Sequence, residues 1–138
     1  MSKKEEVKMG VWMIATGSIS IKPQVDDILI KEYIKFSNNC FPKEYVEEGF
    51  SNTWFFDENN KLISVAGKFA EPPIWYRHLK ENFFEARGYE LEGELEIIGE
   101  GEKGFIEACE KSMEKYQQWK IRRKSYDYNY CENACGLI

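Results

Sequence analysis

Residues 89–104 read YELEGELEIIGEGEKG, and this stretch decides between two folds. Glu90, Glu92, Glu94 and Glu96 alternate with Leu91, Gly93, Leu95 and Ile97. That is the period of a β-strand with one wet and one buried face. The strand runs into Gly99-x-Gly101-x-x-Gly104, the spelling of a dinucleotide loop, just before a helical pattern. Two features oppose the nucleotide reading. Glu100 and Glu102 fill the variable positions and would face the phosphates. A dinucleotide fold also places its first strand inside a parallel sheet, where it reads as continuously apolar. The alternating glutamates instead predict an antiparallel edge strand followed by a flexible turn.

Working outward, Val11 to Lys22 predicts a first strand, ended by Pro23. Asp26 and Asp27 open a helix running to about Asn38, since acids suit a helix's first turn. Residues 39–52 read as an irregular connection with a helical turn near Lys43 to Glu47. Thr53 to Asp57 and Leu62 to Phe69 form a hairpin about Glu58-Asn59-Asn60-Lys61, Asn being tolerant of left-handed turns. Pro72-Pro73 starts a second helix with Trp75, Leu79 and Phe83 on one stripe, and Gly88 caps it. After the acidic strand, a helix spans about Lys103 to Lys124.

The order is β-α-β-β-α-β followed by a helix. It predicts an α+β, ferredoxin-like antiparallel sheet with helices on one face and an extra C-terminal helix. The acidic strand then lies at a sheet edge. Residues 1–8 read as a mobile leader, 9–124 as one domain, and 125–138 as either a tail or, from alternating Tyr126, Tyr128 and Tyr130, an added edge strand.

Composition narrows the function. A net charge of −5 disfavours nucleic acid and anionic membrane surfaces. No apolar run reaches the ~18 residues of a membrane span. Four cysteines (Cys40, Cys109, Cys131, Cys135) are too few for a disulfide scaffold, so a reducing cytoplasm is expected. Cys131 and Cys135 lie four apart, unlike the usual zinc-ligand pairs, and no metal or cofactor is expected.

Glu90, Glu92, Glu94, Glu96, Glu100 and Glu102 make an acidic surface for a basic protein partner. The bland alternative is a solvated edge whose charges block sheet aggregation. One carboxylate per ~6.8 Å is about fourfold sparser than the ~1.7 Å spacing of duplex DNA charge, so the strand alone is no DNA mimic. Phe69, Trp75 and Tyr76 mark an aromatic contact patch beside it, with oligomerisation through the edge as a further use of the same surface. An enzyme reading rests on His78, the single histidine, with nearby acids. A nucleic-acid reading rests on the basic run Lys120 to Lys124 and the open sheet face.

The run Lys68-Phe69-Ala70-Glu71-Pro72-Pro73, then a helix, an acidic strand and Gly104-Phe105, resembles ferredoxin-like domains of uncharacterised plasmid and phage accessory proteins. The resemblance covers about residues 60 to 106 and carries no catalytic residues. It implies a mobile-element accessory protein, with inhibition of a basic, nucleic-acid-handling protein as the sharper expectation.

Overall fold

In the computed structural model, which describes the backbone of residues 11–136 and the side chains of 11–126, the first strand is broken in two. β1 (Met13–Thr16) and β2 (Ser20–Lys22) are separated around Gly17, which sits at φ 100°. Helix α1 (Asp27–Asn39) follows, with the Asp26 carboxylate accepting from the Leu29 amide at 2.9 Å as its N-cap. A short 3-10 turn at Lys43–Tyr45 lies within the next connection.

β3 (Trp54–Phe56) and β4 (Leu62–Ser64) pair antiparallel. Their turn is closed by the Asp57 carboxylate, which accepts from the Asn59 and Lys61 amides, and Asn60 takes φ 59°. Helix α2 (Pro72–Leu79) continues through a π turn (Lys80–Phe84) and a 3-10 turn (Glu85–Arg87) to Gly88 at φ 82°. β5 (Glu90–Glu92) and β6 (Glu96–Gly99) then precede α3 (Phe105–Gly136).

β5 pairs antiparallel with β2, and β6 with β1. Thr16 faces Glu96 and Ser20 faces Glu92, so three residues lie between the ladders on each strand and the register carries through the gap. The expected single acidic strand is therefore interrupted rather than shifted. A Cβ on Gly93 (φ 151°) would lie 2.8 Å from the Ser18 oxygen, and one on Gly17 would lie 2.7 Å from the Glu94 oxygen. The two backbones approach too closely there for side chains. On the other side, isolated antiparallel bridges join Met13 to Gly67 and Ile19 to Leu62.

The result is a mixed α+β chain with three described α-helices and small antiparallel sheets. Successive strand residues face opposite ways. Trp54 and Phe56 meet the first two helices, through Tyr76 (5.3 Å between rings) and Tyr33 (4.8 Å). Phe55 instead meets Tyr116 of α3 at 5.2 Å. So α3 crosses the face opposite α1 and α2, and its Trp119 reaches around β3 to Phe56. Tyr33, Phe55, Phe56, Trp75, Phe83 and Phe84 are the largest fully enclosed aromatics of the core.

The added edge strand expected from Tyr126, Tyr128 and Tyr130 is corrected: α3 continues through all three. Nothing between Phe105 and Gly136 breaks a helix, since the run holds no proline and no internal glycine. The mobile leader expected at residues 1–8 lies outside the described residues.

Candidate partner-binding edge

Glu90, Glu92, Glu94, Glu96, Glu100 and Glu102 are all exposed. Among the described residues, β5 and β6 are hydrogen-bonded on one side only, leaving an outer strand edge. Five of the six carboxylates divide by what they hold, and Glu90 stands opposite Lys22 in the β2–β5 register. Glu92 pairs with Lys22 at 2.9 Å, and its hydrogen bond and attraction raise the Lys22 ammonium above its ordinary value. The Glu94 and Glu96 carboxylates have no ion pair or hydrogen bond among the described residues. Ile97, 42% exposed, adds an apolar side chain to the same strand.

Glu100 and Glu102 do different work. The Glu102 carboxylate accepts from the Gly99 amide at 2.7 Å, closing the glycine-rich turn on itself. Glu100 accepts from the Trp12 amide at 3.2 Å, and its own amide donates to the Trp12 carbonyl at 2.8 Å. The Gly99 amide that a phosphate would need is thus already taken by a carboxylate of the same loop.

The aromatic patch is smaller than the sequence predicts. Trp75 is wholly buried, its indole N–H donating to the Phe50 carbonyl at 3.0 Å. It is a core residue and is removed from the contact surface, because its i, i+4, i+8 stripe with Leu79 and Phe83 turns inward. Tyr76 is half-buried against Trp54, and burial raises its phenol above the ordinary value. Phe69 is 47% exposed and stacks on Phe50. Trp12, 41% exposed, is the aromatic residue that sequence reasoning missed as a contact. Strand alternation does not single it out, because Ile14 on the same face of the strand is buried. The Trp12 backbone is bonded to Glu100, next to Met13, which bridges to Gly67.

The other candidates are engaged structurally. His78 Nε2 lies 2.9 Å from the Cys40 carbonyl, which only accepts, so Nε2 carries the proton. Nδ1 then accepts from the Asn82 amide at 3.1 Å, and the ring stacks on Phe36. The imidazole thereby ties α2 to the end of α1. In the basic run, Arg122 donates to the Asp57 carbonyl and to Asn60, anchoring α3 to the hairpin, while Arg123 donates to Asn38 of α1. Cys40 and Cys109 are free thiols, and burial raises Cys109 above the ordinary thiol value. Among the described residues, no group of three His, Cys, Asp or Glu side chains is placed to hold a metal ion, and no helix is long and apolar enough to cross a membrane.

Compared with known proteins, the chain matches no family model, no curated protein and no solved structure.

Proposed function

We propose that the chain is a non-catalytic binding protein that presents the β5–β6 edge to a basic protein partner. The observation that carries this reading is an outer strand edge on which the Glu94 and Glu96 carboxylates have no partner among the described residues, beside exposed Ile97. An added strand from the partner would gain backbone hydrogen bonds from the edge and charge selectivity from the carboxylates. Trp12 and Phe69 extend the contact at one end of the sheet, as aromatic anchors do in protein interfaces. The ladders are read here as one ferredoxin-like sheet in the order β5/β6, β1/β2, β4, β3. The bridges Met13 to Gly67 and Ile19 to Leu62 support that order. Inhibition of a basic, nucleic-acid-handling protein is the form of action that an acidic edge suits best, in keeping with the resemblance to mobile-element accessory proteins.

The test replaces Glu90, Glu92, Glu94 and Glu96 together by Gln, leaving Glu100 and Glu102 to hold their loop. Immobilised wild-type chain is expected to capture basic proteins in a salt-sensitive way, and the variant to capture none of them. Equal capture by both overturns the reading.

A further inference from the structure

Helix α3 has one face on the domain and one face uncovered. Tyr116 and Trp119 pack on β3, and Arg122 bonds the hairpin. On the opposite face Ile106, Met113 and Ile121 are 73%, 45% and 75% exposed. With Gln117 between the last two, they recur at spacings of seven and four, which keeps all four on one stripe of a helix. Single exposed aliphatic side chains are ordinary, but three on one stripe make a patch.

Charges frame that patch, with opposite signs at its two ends. Glu110 and Glu114 lie beside Met113, and Lys120 and Lys124 lie beside Ile121. All four are exposed, and none has an ion pair among the described residues. The Lys120 ammonium has a ring contact, 5.6 Å from the Tyr116 centroid. The neighbouring Lys111 and Lys115 are instead paired, with Glu107 and Glu58.

This face is complementary to itself when turned end for end. Taken about Gln117, Glu110 falls opposite Lys124, Met113 opposite Ile121 and Glu114 opposite Lys120. Each charge meets its opposite, and each apolar side chain meets an apolar one. A parallel pairing would set Glu against Glu and Lys against Lys. The relief of the surface fits as well. Glu110, Met113, Glu114 and Gln117 surround a shallow groove. Four positions so spaced form the hole that receives one side chain of a facing helix. In the turned register the side chain facing that hole is a second Ile121.

We propose that the outer face of α3 pairs antiparallel with the same face of a second copy of this chain, giving a two-fold dimer centred on Gln117. Ile121 of each copy seats in the groove beside Met113 of the other. Glu110 with Lys124 and Glu114 with Lys120, each formed twice by symmetry, fix the direction and the register. The contact uses no residue of β5 or β6, so it is independent of the binding edge proposed above. One pair of helices makes an interface at the small end of the specific range, which sets a dissociation constant of roughly 1–100 μM.

Sedimentation velocity of the full chain in reducing buffer, up to about 500 μM, reads the monomer–dimer equilibrium. Wild type is expected to dimerise, less so as salt rises. Glu110→Lys with Glu114→Lys is expected to weaken self-association by about tenfold or more, and so is Lys120→Glu with Lys124→Glu, since like charges then face each other. Mixed in equal amounts, these two variants are expected to associate as the wild type does, because every pair is restored across the interface. Circular dichroism checks that each is folded. Ile121→Gln is expected to weaken the dimer likewise, and decides the matter if a charge reversal does not fold. Replacing Glu90, Glu92, Glu94 and Glu96 by Gln leaves the dimer unchanged. The proposal is overturned if the wild type stays monomeric up to about 500 μM. It is equally overturned if a folded charge-reversed variant or Ile121→Gln dimerises as the wild type does, if mixing restores nothing, or if the edge variant is the one that becomes monomeric.

Discussion

Trp12 and Glu100 hold each other twice, by the Glu100 amide on the Trp12 carbonyl at 2.8 Å and the Trp12 amide on the Glu100 carboxylate at 3.2 Å. This double bond extends the β1–β6 ladder by one residue and keeps an exposed indole at the end of the acidic edge. Glu100→Gln preserves an acceptor and is expected to leave the fold intact. Glu100→Ala removes it and is expected to loosen the Trp12 amide. Hydrogen exchange at Trp12 reads the difference: faster in the Ala variant, close to wild type in the Gln variant.

Gly93 and Gly17 let the two broken strands approach. Gly93→Ala or Gly17→Ala adds a Cβ that meets backbone oxygen at 2.8 or 2.7 Å, at positive φ. Each is expected to destabilise the chain by about 1–3 kcal/mol. Gly49 also has positive φ, but nothing lies within 4 Å of a Cβ there. Gly49→Ala therefore carries only the conformational cost, about 1 kcal/mol. Urea midpoints of the three variants check this ranking.

Tyr33 is expected to lower stability at alkaline pH. Burial pushes its phenol well above the ordinary value, outweighing the Asn52 hydrogen bond and the Arg123 charge. The folded chain thus keeps a proton that the unfolded chain gives up near pH 10. Stability from this group is fully present below that pH and falls as pH rises above it. Tyr45 and Tyr76 are shifted the same way by burial. Tyr33→Phe is expected to lower stability at pH 7 by about 1–3 kcal/mol, since it strands the Trp54 carbonyl and the Asn52 amide. It is also expected to flatten the decline between pH 10 and pH 12. Thermal midpoints across that range measure both effects.

His78 is expected to matter for stability and not for partner capture. Its ring bridges the Cys40 carbonyl and Asn82. His78→Ala is expected to cost about 1–2 kcal/mol of stability with capture unchanged. Denaturant unfolding and a pull-down on the same preparation separate the two.

Much of the architecture is legible in single residues. Pro72 and Gly88 bound the second helical segment because one suits a first turn and the other takes a left-handed cap. Asn60 marks the hairpin for the same left-handed reason. The break in the acidic strand is not legible, because Gly17 and Gly93 act on each other's strands across 76 positions of sequence. The tyrosines at 126, 128 and 130 mislead because three alternating residues weigh less than a long run without a helix breaker. Of the candidate site, the charge of the edge is visible in the alternation. Which carboxylates are engaged, and that Trp75 turns inward while Trp12 turns outward, depends on tertiary packing.

Amide hydrogen exchange across residues 90–99, in the chain alone and in complex with the captured basic partner, tests the edge directly. The account predicts slowed exchange at the amides of β5 and β6 that face away from β1 and β2, lost on neutralising Glu90, Glu92, Glu94 and Glu96. Unchanged exchange along this edge in a saturated complex would contradict it.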